Sequence, residues 1–382
     1  MRGEGLLAPG RDLEDSIESL DDSAGGMDNQ LTLTREQKKF KTLLTQIPKT
    51  EIHLHLEGLA SVDTIWQLMS EHHIPVNGVK SKADLQGKFQ IKSLDEFIAL
   101  YIDVIQNCFQ ENKDFDYLIE DARSYLKRNN VTYAEIFFAP TKFILNGFSF
   151  ASMVEKLEAG ARSLAENDVT VRYLIDVSRS YGTENAMKNL DLTLASKSDI
   201  IIGIGLGGAE LHGPARDYRK VFEKAVANGL KVVAHAGEDV GPESIWDTLK
   251  LLKVDRIGHG ISAIEDEKLM SYLAEKQIPL EVCPTSNLFT RKYATSLKNH
   301  PIRAFYDHGM NVTVNTDDPA LFDVDLVDEY MKLFTSDIFS AAEILRLVKN
   351  GIYATFLPMK KKDDLWRRVE SLSAQAHTGT KP

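Results

Sequence analysis

The sequence predicts an α/β fold, a (β/α)8 TIM barrel with an inserted helical segment after the first strand. Eight short apolar runs alternate with longer amphipathic stretches over most of the 382 residues, the pattern of parallel strands joined by helical crossovers. Most of those runs are near-continuously apolar, as strands covered on both faces are. Polar residues gather at the C-terminal ends of five of them, the end at which such barrels carry their sites. The length accommodates one barrel of about 250 residues with insertions.

The predicted strands are 51–56, 132–138, 170–177, 200–206, 231–235, 256–259, 279–283 and 311–315. Between them, 218–228 (YRKVFEKAVAN) places Val221, Phe222, Ala225 and Val226 on one helical stripe, and 266–276 (DEKLMSYLAEK) does the same with Leu269, Tyr272 and Leu273. Eight such units favour a closed barrel over an open sheet. The gap from about residue 60 to 130 is too long for one crossover and predicts an inserted group of helices beside the first strand. Residues 1–33 are acidic and rich in Gly and Ser, which predicts a disordered leader. A single barrel domain is expected over 34–372, and a disordered polar tail over 373–382. No internal repeat is visible.

The net charge is −11, and more than half of it lies in residues 1–30, where eight acids face two arginines for a net of −6. The acidic sign and the lack of a basic stripe argue against a nucleic-acid partner. The sequence has no basic region followed by an apolar run at its start, and no window long and apolar enough to span a membrane. The two cysteines, Cys108 and Cys283, make no disulfide framework. A cytoplasmic protein acting on a small molecule is the expectation.

Strand one ends in His53-Leu54-His55, strand four in Gly207-Gly208, strand five in His235-Ala236-Gly237-Glu238, strand six in Gly258-His259-Gly260 and strand eight in Thr316-Asp317-Asp318-Pro319. His53 and His55 are two apart on a strand, so both rings point to one face, toward the barrel axis. A third imidazole from His235 and a carboxylate from Asp317 would complete a site of three nitrogens and one oxygen. Those ligand types suit zinc, with cobalt, nickel or iron as possible substitutes. Glu238, just past its strand, is poorly placed to bind the same ion but well placed to reach a substrate. Adjacent strand residues face opposite ways, so Asp317 and Asp318 can both act only if the strand ends there, which Pro319 favours. His259, between two glycines, is expected close to a ligand. His212 follows the strand-four glycines and is a further candidate for substrate contact. His72, His73, His300, His308 and His377 are expected to be surface or structural, and Cys283 a core residue.

At these residues the chain resembles the adenosine deaminase family of the metal-dependent amidohydrolase superfamily. The matching stretches are 51–58 (EIHLHLEG), 203–210 (GIGLGGAE), 235–238 (HAGE), 256–260 (RIGHG), 281–287 (EVCPTSN) and 314–319 (VNTDDP), in family order from about 48 to 356. The resemblance implies one zinc ion per chain, held by His53, His55, His235 and Asp317. It implies that Glu238 protonates a purine ring, that His259 and Asp318 manage the attacking water, and that the Gly208 backbone N–H meets the ring edge. Substrate contacts are expected from His55, Glu57, Gly208 and Asp318. The implied reaction is hydrolytic loss of the 6-amino group of a purine nucleoside, adenosine or deoxyadenosine giving inosine or deoxyinosine plus ammonia. Zinc lowers the pKa of water that it binds to about 7, and a ring-protonating acid contributes on the order of 10²–10⁴-fold. The zinc deaminases with an H-x-E and P-C-x-x-C signature are excluded, since two lone cysteines cannot build that site.

The chain departs from the family on the substrate side. Adenosine-specific members usually carry Asp where this chain has Glu57, and often G-x-D-L-A-G where this chain has Gly205 in place of Asp. The stretches 203–210 and 283–291 also resemble aminodeoxyfutalosine deaminases of the menaquinone pathway, and 134–138 (AEIFF) resembles adenine deaminases. A more distant alternative is another metal-dependent amidohydrolase, cutting an amide or phosphoester on the same barrel.

Overall fold

A computed structural model describes residues 33–91, 93–290 and 292–378. All but one residue of the expected leader, and residues 379–382, lie outside the described residues. Eight parallel strands form one sheet in sequential order: β1 (Lys49–His55), β2 (Val131–Phe138), β3 (Thr170–Asp176), β4 (Ile201–Gly205), β5 (Lys231–Ala236), β6 (Arg256–His259), β7 (Leu280–Val282) and β8 (Val312–Val314). Each predicted run overlaps one of these strands, with ends that agree to within two residues.

The barrel closes between β8 and β1 through the segment just beyond β8. Asp317 N–H donates to His53 O at 3.1 Å, and His55 N–H donates to Asp317 O at 2.9 Å. The Asn315 side chain continues the seam by accepting Ile52 N–H at 3.1 Å. Those bonds replace the ladder that so short a β8 cannot offer. Pairing of β1 with β2 shifts register between Glu51 and Leu54, an irregularity of the kind that re-aims a side chain beside a site; here it falls at His53.

The predicted insertion is present as helices Val62–Glu71, Lys82–Lys88, Leu94–Ala99 and Phe115–Arg128 with a π-helical turn at Leu100–Ile105. It buries Ile65, Leu68, Leu85, Ile105, Phe115 and Leu118 against the main core. Phe137, Leu174 and Val233 form a second, small apolar cluster; alternation along their strands puts it on the same face as His55 and His235.

Two local expectations are corrected. Val226 does not belong to the buried stripe of helix Arg219–Ala227: Val221, Phe222 and Ala225 are buried, whereas Val226 is 48% exposed. It comes one residue after Ala225, a rotation of about 100° that carries it past the stripe's edge. The last helix, Met359–Thr378, runs past Ser373, where the tail was expected to start. Val369 is buried and Leu372 packs on the core, and Ala374, Gln375 and Ala376 are good helix formers that prolong an anchored helix. Among the described residues, no helix is long and apolar enough to cross a membrane.

Candidate active site

His53, His55, His235 and Asp317 are all buried, and one nitrogen or oxygen from each lies within 4.8 Å of the others. Nε2 of His53 is 3.4 Å and Nε2 of His55 is 3.3 Å from Asp317 Oδ1. The Nε2 atoms of His55 and His235 face one another at 3.3 Å. Asp317 reaches the cluster because β8 has ended: its backbone takes φ +68°, a left-handed conformation that an L-residue adopts only where surrounding contacts hold it. Buried polar atoms normally have partners, yet His53 Nε2 and Asp317 Oδ1 have none. Two orphaned polar atoms and two facing imidazole nitrogens fit a cation at their centre, and a three-nitrogen, one-oxygen set is one that zinc accepts. Burial opposes ionisation of Asp317, but the imidazoles of His53 and His55 beside it outweigh that and hold the carboxyl well below the usual range. Burial, and then the neighbouring His53, hold His235 well below the usual imidazole range, in its neutral form.

A second layer aims these groups. Glu281 on β7 accepts from His53 Nδ1 at 2.8 Å, which leaves Nε2 for the cluster. Glu281 is itself paired with the Arg256 guanidinium, which also binds Glu135 at 2.6 Å and Ala354 O at 3.1 Å. Metal-ligating histidines are commonly oriented in this way. Ser286 donates to Asp317 Oδ2 at 2.7 Å. The ring of Phe137 stacks on His55 with centroids 5.1 Å apart. Sequence reasoning assigned none of these residues a role. The available signal was a charged residue in the middle of an otherwise apolar strand, as at Glu281 and Glu135.

Glu238 lies in the turn after β5 and lines the same cavity as the cluster. That turn is held by Glu210, which sequence reasoning also left unassigned. One Glu210 oxygen accepts Gly237 N–H at 2.7 Å, and the other accepts the N–H groups of Glu238, Asp239 and Val240 at 3.1, 2.9 and 3.1 Å. Burial, then the negative charges of Asp317 and Glu210, raise the Glu238 carboxyl to about 8. It therefore carries a proton at neutral pH.

His259 takes φ +58° between Gly258 and Gly260 and turns its ring into the site, with Nε2 3.5 Å from Glu238 Oε2. Asp318 is buried, with Oδ1 unpartnered; burial and the adjacent Asp317 raise its carboxyl well above the usual range. Gly58 is obligatory beside it, since a Cβ there would lie 2.0 Å from Asp318 Oδ1. Gly208 lines the cavity with φ +91°, a conformation suited to glycine. Asp176, at the end of β3, accepts Gly207 N–H at 2.9 Å and Ser178 N–H at 2.8 Å, and so shapes the loop that presents Gly208. The cavity is roofed by Phe97, Ile98, Tyr101 and Ile102 from the inserted helices.

The structure moves Glu57 from where the sequence placed it. β1 ends at His55, and a helical turn over Glu57–Leu59 swings the side chain off the strand face. Glu57 is buried behind the wall, bonded to Tyr101 Oη at 2.9 Å, Gln106 Nε2 at 3.1 Å and Ala139 N–H at 3.0 Å. It does not line the cavity; Tyr101 and Gln106 do. Burial raises its carboxyl to about 7. At Gly205, a Cβ would lie 2.5 Å from the Phe137 ring, so that ring fills the space that a longer side chain would need. His212 is exposed, and does not line the cavity. Of the histidines expected to be surface or structural, His72 bonds Asp114 at 2.9 Å and His300 is buried beside Asn287; the side chain of His377 lies outside the described residues. Cys283 is a buried free thiol, as expected.

Comparison with known proteins finds relatives over most of the chain. The family described as adenosine deaminase matches residues 48–372. An aminodeoxyfutalosine deaminase of Streptomyces avermitilis is 33% identical over 341 residues, 88% of this chain and 94% of that protein. An adenosine deaminase of Shewanella loihica is 34% identical over 336 residues, 84% of this chain and 98% of that one. A solved adenine deaminase from Arthrobacter aurescens superposes with a TM-score of 0.81 at 30% identity, covering 86% of this chain and 99% of its own.

Proposed function

We propose that this chain, which belongs to the adenosine deaminase family of hydrolytic deaminases, removes the 6-amino group of adenosine and 2′-deoxyadenosine, giving inosine or deoxyinosine and ammonia. The observation that carries this is Glu238: a carboxyl raised to about 8, in the cavity that also holds the His53–His55–His235–Asp317 cluster. Attack at the amino-bearing carbon places negative charge on the adjacent ring nitrogen unless that nitrogen is protonated. An acid that keeps its proton until attack, and lies within the pocket, supplies this need.

His53, His55, His235 and Asp317 would hold one zinc ion, and zinc supplies there the Lewis acidity that makes water nucleophilic at neutral pH. Glu238 gives its proton to the ring nitrogen. Gly208 N–H steadies the ring edge, while His259 and Asp318 orient the attacking water. The apolar roof of Phe97, Ile98, Tyr101 and Ile102 excludes bulk solvent and strengthens these polar interactions.

A second proposal, that the free base adenine is the preferred substrate, is favoured by Glu57. Its carboxylate is already engaged by Tyr101, Gln106 and Ala139 and has no oxygen turned toward a sugar hydroxyl in the cavity. Steady-state assays of purified protein on adenosine, deoxyadenosine, adenine and aminodeoxyfutalosine test both. The nucleosides should have the highest kcat/KM under the first proposal and adenine under the second. Failure to release ammonia from all four sinks both.

A further inference from the structure

We infer that His259 is locked as the neutral Nε2–H tautomer by a relay through Asn287 and His300, so that it meets the substrate water as a hydrogen-bond donor and not as a base. The relay starts from a group whose role is not in doubt. Ile302 N–H, at the first turn of helix Ile302–Asp307, donates to His300 Nδ1 at 3.1 Å. A backbone N–H can only donate, so His300 Nδ1 carries no proton and Nε2 must. His300 Nε2 is 3.3 Å from Asn287 Oδ1 and donates to it. The reversed amide would set an NH₂ group against a ring nitrogen that already carries a proton, so the orientation of Asn287 is fixed. Its Nδ2 then donates to His259 Nδ1 at 3.1 Å. His259 Nδ1 is therefore the acceptor, and the ring proton sits on Nε2. That atom faces the site, 3.5 Å from Glu238 Oε2 and 3.9 Å from Asp317 Oδ2.

All three side chains are buried, so water does not substitute for a missing partner and each bond constrains the next. Protonating Nδ1 would press its N–H against the Asn287 NH₂, which disfavours the imidazolium on geometric grounds alone. A ring that arrives as a donor cannot take a proton from water. It holds the water oxygen through a lone pair and leaves the water's protons facing Asp318 Oδ1, which has no other partner. Asn287 and His300 are thus positioning residues that act through His259. Their value to turnover rests on the proposed deaminase function, whereas the tautomer itself does not.

The test is ¹⁵N NMR of the zinc-loaded full chain with labelled histidines, the His259 signals being those lost in His259→Gln. The expected spectrum has a proton bonded to Nε2 and none on Nδ1. A proton on Nδ1, or on both nitrogens, overturns the inference. Asn287→Asp replaces the donor facing Nδ1 by an acceptor and should move the proton to Nδ1. A histidine held in the wrong tautomer can cost on the order of 10⁴-fold in turnover, so kcat should fall by at least about 10-fold, with zinc retained and KM changed by less than about 3-fold. If burial of that charge prevents folding, His300→Ala frees the Asn287 amide to rotate and should give a mixed tautomer population with reduced kcat. An unchanged tautomer in the variant that folds refutes the relay, and a changed tautomer with wild-type kcat refutes the positioning role of Asn287 and His300. If the wild-type chain deaminates no purine, the functional proposal fails while the spectrum still decides the tautomer.

Discussion

The Glu210 carboxylate accepts the backbone N–H of Glu238 at 3.1 Å, so the residue proposed to protonate substrate is held by another acid 28 positions earlier in the chain. The same carboxylate takes the N–H groups on either side, from Gly237 to Val240. Glu210→Gln offers one acceptor oxygen in place of two, and its amide N–H groups oppose the loop donors. We expect kcat to fall by about 10-fold, at the low end of acid–base contributions, with a smaller change in KM. The double variant with Glu238→Gln should lose no more than Glu238→Gln alone, because the first residue acts through the second. Losses that multiply in that double-mutant cycle would show that Glu210 does something else.

Glu238→Gln and His235→Ala separate acid from ligand across three residues of sequence. Gln keeps the size of the side chain but has no proton to give, so kcat should fall at least about 10²-fold with KM little changed and zinc still bound. His235→Ala should lose metal and activity together. Metal analysis beside steady-state kinetics decides the matter, and a zinc-free Glu238→Gln protein contradicts the assignment.

Glu281→Gln weakens the grip on His53, because a neutral amide oxygen replaces the carboxylate that accepts the Nδ1 proton. Outer partners of metal-bound histidines are worth about 10–100-fold in affinity. Competition with a chelator should show a loss of affinity in that range, with the wild-type chain expected to hold one ion. The thermal midpoint should also drop, since Arg256 keeps only Glu135 as an ionic partner. Unchanged zinc affinity would mean that Glu281 serves the fold and not the metal.

The pH dependence follows from which form of Glu238 works. Burial, Asp317 and Glu210 raise its carboxyl to about 8, and only the protonated form donates. Activity is therefore retained below that value and lost as pH rises through it. A bound cation offsets part of the Asp317 repulsion, so the midpoint of the falling limb should lie at or below about 8. Glu210→Gln removes one of the repelling charges and should move the limb to lower pH. A kcat/KM profile that rises across pH 7–9 contradicts the acid role.

The sequence by itself determined the barrel and the first layer of the site. Alternating apolar runs and amphipathic stretches require parallel strands with helical crossovers, and a strand's two-residue period puts His53 and His55 on one face whatever surrounds them. The tertiary structure decided what a period cannot reach. Glu57 keeps the strand parity of His55 in sequence, but the strand stops at His55, and a helical turn takes the carboxylate behind the wall to Tyr101 and Gln106. Glu210 and Glu238, Arg256 and Glu281, and Asn287 and His300 are joined by hydrogen bonds between side chains or loops on different elements. Local propensity depends on neighbours in the chain, whereas a buried polar group is satisfied by whatever the closed barrel brings within about 3 Å of it. That is why the four clustered residues could be read from strand ends, while the partners that aim them became visible only when the eight strands were closed into a ring.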